Sequence, residues 1–316
     1  MPIARDGVSQ LVYYHFGVGT HWSLSDRWLG GGFGIGLTRN VIDLYMWLVY
    51  NYANQDELFL FGFSRGAYSV RSLAGLIRQI GFLPKDEAFY IPDAERLYRT
   101  RADAATIGAF RARHRTRTPD IALIGVWDTV GSLGIPIPLF NWLSLRHFEF
   151  HDVGLAASVR NARHALAIDE RRKPFRPTLW TGPFEAHQTV KQRWFAGVHT
   201  NIGGGYDKDG LANVALRWMV NEAKALKLDV DSDFLAPYRP YAGDELRNSM
   251  TWKYRLFGSY ARPICQLSPD TESVDRSVYA RYRDDKTYRP KNLVDLIKRQ
   301  NLDIEALAAL PPKGTP

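Results

Sequence analysis

Apolar positions along the chain fall into two periods. Residues 57–63 and 121–127 are nearly continuous apolar runs of strand length, and residues 11–16 are β-branched and aromatic before a glycine turn at 17–20. Residues 192–198 read as a further strand and 175–180 as a short strand or extended segment. Between these runs the spacing becomes helical. Val41, Leu44, Tyr45, Leu48 and Tyr52 share one face of a helix over 38–52, and Val70, Leu73, Ala74, Ile77 and Ile80 mark another that Gly81 and Pro84 end. Helices are also predicted over 153–167 and 212–226. Strands alternating with helices predict an α/β fold, a mostly parallel sheet covered on both faces. Beyond Asp229 the pattern weakens. That division predicts a main domain over 1–228 and an irregular, helical extension over 229–316 packed on it.

The run 57–63 ends in Gly62-Phe63-Ser64-Arg65-Gly66 and passes straight into the second helix. This is the sequence form of a nucleophile elbow, a sharp strand-to-helix turn that leaves a serine hydroxyl exposed above the sheet. Serine needs a neighbouring base, usually a histidine oriented by a carboxylate. In this architecture the chain order is serine, acid, histidine, each at a strand's C-terminal end. Asp128 directly follows 121–127, and His199 directly follows 192–198 on a glycine-rich loop. Other candidates fit less well. His164 lies inside a helical pattern and reads as structural. His147, His151 and His187 have no strand in front of them, and Asp169 reads as a capping or surface residue. Asp207 and Asp209 come too late in the order. The predicted catalytic set is Ser64, Asp128 and His199, with the Arg65 backbone N–H as one oxyanion donor. This chemistry needs no metal and no organic cofactor.

Composition narrows the partners. The 316 residues carry 41 Lys and Arg against 33 Asp and Glu, a net charge of +8 that favours anionic partners. No nucleic-acid motif accompanies it, so nucleic acid is not expected. Arginines crowd residues 86–118 at positions 96, 99, 101, 111, 113, 115 and 117, either as a solvated helical insertion or as a face for anionic lipid. A single cysteine, Cys265, excludes an internal disulfide framework. The glycine-rich stretch 29–36 lacks the strand and acidic residue of a dinucleotide fingerprint and reads as a loop. Residues 135–142, rich in proline and aromatics, read as a lid, a lipid-facing surface or a packed loop. The N-terminus has no signal-peptide pattern and no stretch has the length of a membrane span, which predicts a cytoplasmic protein unless a dedicated system exports it.

Four blocks together carry a resemblance: residues 62–68 (Gly-Phe-Ser-Arg-Gly-Ala-Tyr), 126–132 (Val-Trp-Asp-Thr-Val-Gly-Ser), 164–170 (His-Ala-Leu-Ala-Ile-Asp-Glu) and 194–206. They resemble a family of bacterial and fungal α/β-hydrolase-domain proteins that includes phospholipase effectors delivered by type VI secretion. A fainter echo lies at 288–293 (Tyr-Arg-Pro-Lys-Asn-Leu). The resemblance implies the Ser64–Asp128–His199 triad, hydrolysis of an acyl ester such as a phospholipid, and an origin in the cytoplasm without a signal peptide.

Relatives in that family begin with a strand ending in an Asp-Gly-Thr turn, and this sequence begins downstream of it. The α/β-hydrolase-like sheet is therefore expected to lack its N-terminal strand and, with it, the usual source of the second oxyanion donor. Three explanations follow: a start upstream of Met1, which is preferred; donation from the 17–20 turn through Gly19; or an inactive relative. The function expected is a serine hydrolase of acyl esters. The alternatives are an impaired relative that binds anionic membranes and, more weakly, a hydrolase of non-lipid esters such as acetylated sugars.

Overall fold

The structure is a computed structural model and describes residues 7–16, 32–130, 154–256 and 258–309. Its centre is a five-stranded parallel sheet whose spatial order is the chain order: β1 (Leu58–Phe63), β2 (Ile121–Trp127), β3 (Asn161–Ala167), β4 (Thr189–Phe195) and β5 (Glu272–Val274). Helices cover both faces, so the class is α/β.

Alternation along β3 assigns the two faces. Ala162 packs with α1 (Gly32–Asn51) and α2 (Arg65–Ile80), and Leu166 packs with the C-terminal helices. Ala165 and Ala167 point to the other face, against Trp218 and Met219 of a helix at Gly210–Ala225. The apolar positions of α2 named from its spacing, Val70, Leu73, Ala74, Ile77 and Ile80, are all buried. Burial extends to most of the helix, including Arg71 and Ser72, as suits an element wedged between α1 and the sheet.

Several expectations are corrected. Residues 161–167 form a central strand rather than part of a helix, and 154–160 are irregular. Alanine favours helix only weakly, and three alanines buried on both faces let the covering helices approach β3 closely. Residues 11–16 form no strand of the sheet. They lie on α1, where Tyr13 stacks on Trp47 and His15 pairs with Asp43. Among the described residues β1 is therefore one edge of the sheet. Residues 176–180 are extended but unpaired in the sheet, apart from a bridge between Pro177 and Val130. The helix expected over 38–52 already begins at Gly32, taking in part of the glycine-rich stretch. The turn at 17–20 with Gly19, the remainder of 29–31 and the loop 135–142 lie outside the described residues.

The segment after Asp229 contributes to the sheet itself. Glu272 at the head of β5 accepts hydrogen bonds from the Trp194 indole (2.8 Å) and from the backbone N–H groups of Cys265 (2.9 Å) and Leu267 (3.0 Å), which fixes β5 beside β4. The arginine-rich stretch forms a 3-10 turn (Lys85–Tyr90), α3 (Ile91–Arg99) and α4 (Ala104–His114).

Candidate active site

Strand register alone brings two of the three predicted residues together. Phe63 pairs with Trp127 and Trp127 with Ala165, so residues 64 and 128 leave the sheet side by side. The ladder runs one step further: Ser64 N–H donates to Trp127 O (3.0 Å) and Asp128 N–H to Ala165 O (2.8 Å). Both residues then turn sharply, with φ of 57° at Ser64 and 41° at Asp128. A non-glycine side chain at positive φ carries local strain, held in place by the surrounding structure.

The elbow depends on one of its glycines. A β-carbon on Gly62 would lie 2.4 Å from the carbonyl oxygen of Gly66, whereas one on Gly66 meets nothing within 4 Å among the described residues. Close packing of strand against helix therefore requires Gly62, and Gly66 is not sterically constrained there.

His199 arrives from the end of β4. It opens a short helix, α5 (His199–Gly203), where a loop was expected. Its Nδ1 lies 2.6 Å from Asp128 Oδ2 and its Nε2 2.8 Å from Ser64 Oγ. Phe63 and Phe175 pack against the imidazole, with ring centroids at 4.6 and 4.9 Å. Asp128 and His199 are buried, and Ser64 is half-buried. The Arg65 N–H stands at the first position of α2, beside the serine.

Around these residues lies a set that the sequence did not disclose. Arg262, fully buried, donates from Nη2 to Asp128 Oδ2 (3.0 Å) and to Phe175 O (2.6 Å), and from Nη1 to Asp128 Oδ1 and to Ala167 O (2.9 Å). The Ala167 N–H completes the carboxylate's partners at 3.1 Å. Burial by itself would raise the Asp128 carboxyl, but the Arg262 charge and the His199 hydrogen bond hold it well below the usual carboxylate range.

The segment after β3 supports the histidine from beneath. Asp169 is no surface cap: its carboxylate accepts from Gly197 N–H (2.7 Å) and from the Tyr288 hydroxyl (3.1 Å). Glu170, almost wholly buried, accepts from His199 N–H (3.3 Å), Ser249 Oγ (3.0 Å) and Arg172 (2.8 Å), while Arg172 stacks on Phe175. His164 is structural, though on a strand. Its Nε2 accepts from Thr129 N–H at 3.1 Å, and burial and the nearby Arg71 push it down to about 3, so it stays neutral. His187 is exposed and lies 2.9 Å from Ala157 O, away from Ser64; His147 and His151 lie outside the described residues.

One sequence signal did point here. The 288–293 block supplies Tyr288, and its Asn292 donates to the carbonyls of Ile168 (3.0 Å) and Arg262 (3.2 Å). Asn292 thereby ties the backbone of Arg262 to the end of β3. Among the described residues no cluster of three or more His, Cys, Asp or Glu side chains is arranged to hold a metal, and no helix is long and apolar enough to cross a membrane.

Known proteins share parts of this chain. The uncharacterised protein YEL023C of Saccharomyces cerevisiae is 26% identical over 200 residues, covering 56% of this chain and 28% of the yeast protein. A structure of the Tle1 effector bound to the VgrG spike from the type 6 secretion system is 18% identical. The similarity covers 56% of this chain and 31% of that one, with a TM-score of 0.33. An uncharacterised protein from Pseudomonas aeruginosa, solved by crystallography, is 17% identical over 89% of this chain and 42% of its own, again with a TM-score of 0.33. The chain thus spans less than half the length of each. Residues 2–222 match the family model described as type VI secretion phospholipase effector, Tle1-like, catalytic domain. With most of its length inside that match, the chain belongs to the family of Tle1-like phospholipase effector catalytic domains.

Proposed function

We propose that this chain is a serine hydrolase of carboxylic (acyl) esters and that its substrate is a phospholipid. The observation that carries the reading is the hydrogen-bonded series Ser64–His199–Asp128 at the C-terminal ends of β1, β2 and β4. Ser64 Oγ attacks the ester carbonyl carbon while His199 Nε2 takes its proton. Asp128 steadies the imidazolium, and the Arg65 N–H donates to the oxyanion. Collapse breaks the bond to the leaving alcohol, which receives the proton from His199. Water, deprotonated by His199, then attacks the acyl-enzyme, releases the carboxylic acid and restores Ser64. The lipid half of the reading rests on the family, and so does delivery by a dedicated secretion system.

A second reading, an impaired module that binds anionic membranes, is favoured by two observations: among the described residues β1 is a sheet edge with no strand on its outer side to carry the second oxyanion donor, and Arg96, Arg99, Arg101, Arg113, Arg115 and Arg117 are exposed. The geometry of α4 sets its part of that surface, Arg113 with the following Arg115 and Arg117, apart from the serine. Arg111 donates to the carbonyls of Arg78 and Gln79 at the far end of α2, which begins beside Ser64. At ~1.5 Å per residue, a helix of that length spans about 24 Å. The arginines of α3 lie nearer, since its Tyr98 hydroxyl donates to Ser72 O midway along α2 (3.2 Å).

Fluorophosphonate labelling of the wild type, lost in Ser64→Ala, tests the mechanism; ester hydrolysis that survives unchanged in Ser64→Ala rules it out. Comparing phospholipid vesicles, a soluble short-chain ester and an acetylated sugar tests the substrate class. Liposome binding without labelling selects the second reading.

A further inference from the structure

Arg262 lies beyond the residues matched by the family model, in the segment whose sequence pattern is weakest, yet it makes more contacts to Asp128 than His199 does. Two of its N–H groups engage the two carboxylate oxygens side by side, the planar fork geometry for which arginine is suited. The same two nitrogens reach the carbonyls of Ala167, at the end of β3, and of Phe175, whose ring packs on His199. The guanidinium therefore joins the strand end, the triad acid and the aromatic wall of the base.

We infer that Arg262 is a positioning residue for the hydrolase reaction: it fixes the plane in which Asp128 meets His199, and its charge offsets that of Asp128 beneath the base. This rests on the Ser64–His199–Asp128 reading above. In a triad without such a partner, the buried carboxylate presents a full negative charge to the imidazole and favours its protonated form. Here the carboxylate and the guanidinium are buried together as a neutral pair. The imidazole of His199 therefore faces a charge-balanced pair rather than a lone carboxylate.

Among the described residues, the charged groups facing His199 from each packed element are few. Asp128 comes from the end of β2, Glu170 lies after β3 and is neutralised by Arg172, and Arg262 comes from the C-terminal segment. The two rings, Phe63 and Phe175, carry no charge. Among the described residues Arg262 is thus the cation in direct contact with the triad acid, and its removal changes the charge balance at the base.

The test is the pH dependence of fluorophosphonate labelling at Ser64 in the full chain, for the wild type, Arg262→Gln and Arg262→Lys. Arg262→Gln is expected to move the midpoint of the acidic limb up by about one pH unit, since a like charge near the base disfavours its protonated form and charges at such range shift titration by ~1–3 units. Its plateau rate should fall about 10- to 100-fold through lost alignment. Lysine keeps the charge but makes a single-point contact, so Arg262→Lys should move the midpoint less than half as far. A purely structural role would lower the plateau and leave the midpoint in place, and an unmoved midpoint in folded Arg262→Gln, or equal shifts in the two variants, overturns the inference. Loss of folding in both variants makes Arg262 a folding residue and also overturns it. Absence of labelling in the wild type at every pH instead ends the hydrolase reading itself.

Discussion

The ring of Phe63 fills the space that a side chain at residue 203 would need: a β-carbon on Gly203 would lie 2.2 Å from it. The same ring packs against His199, so the missing side chain at the end of α5 sets how closely the histidine's helix approaches the elbow strand. Gly203→Ala should drive Phe63 into the imidazole and lower Ser64 labelling about tenfold or more while the protein stays folded, as small misplacements of reacting groups do. Phe63→Leu in the same chain should recover part of that loss. Losses that simply add in the double variant contradict this relationship.

The backbone at Ser64 yields a stability prediction with a sign opposite to that of activity. Its φ of 57° with ψ of −116° suits glycine far better than an L side chain. Ser64→Gly should therefore abolish labelling and raise thermal stability by about 1 kcal/mol, relief of ~1–3 kcal/mol being partly offset by greater unfolded-chain entropy. Ser64→Ala abolishes labelling without that relief. Equal melting temperatures for Gly and wild type would show that the elbow is not strained.

Asp169 gives a pH window. Desolvation pushes its carboxyl up to about 6, against the hydrogen bonds from Gly197 and Tyr288 that favour the charged form. The unfolded chain releases the same proton near pH ~4. Between these values the folded state binds more protons, so this group's contribution to stability falls as pH rises from about 4 to about 6 and is constant above. Asp128 and Glu170 act in the opposite sense: their folded values are lowered, and the stability they contribute is lost on acidification. Asp169→Asn should remove the decline between pH 4 and 6 in denaturant titrations. A variant with the wild-type pH profile would refute the assignment.

Glu170 should be costly to lose. It is buried, pairs with Arg172 and holds the first N–H of α5. Glu170→Ala leaves the Arg172 charge without its carboxylate, and breaking such buried pairs costs about 3–5 kcal/mol. The partial exposure of Arg172 places the expectation at the low end of that range. Chemical denaturation measures it, and a loss below about 1 kcal/mol would mean that Arg172 finds another partner.

How much of this was legible depended on how local each cause is. Ser64 was visible because the elbow must be built from neighbouring residues, Gly62 above all. Asp128 and His199 were placed because each follows an apolar run, although β4 ends at Phe195, before the run's expected end. The sequence of β3 does not distinguish strand from helix, because its alanines, Arg163 and His164 fit a helical pattern equally well and only burial on both faces decides between the two. Arg262 left no local trace. Its role arises from four contacts spread over residues 128–175, and its own surroundings have no period to read.

The sheet's strand order has a consequence for how the protein is made. Because each strand lies beside its predecessor, the sheet can grow in one direction as the chain leaves the ribosome. Ser64, Asp128 and His199 all emerge before the segment that bears β5 and Arg262. A partly synthesised chain can therefore hold its nucleophile, base and acid without the cation that organises them. The contact between Arg262 and Asp128 can form only after the first four strands have been made, which places it among the last long-range contacts of the sheet to be established.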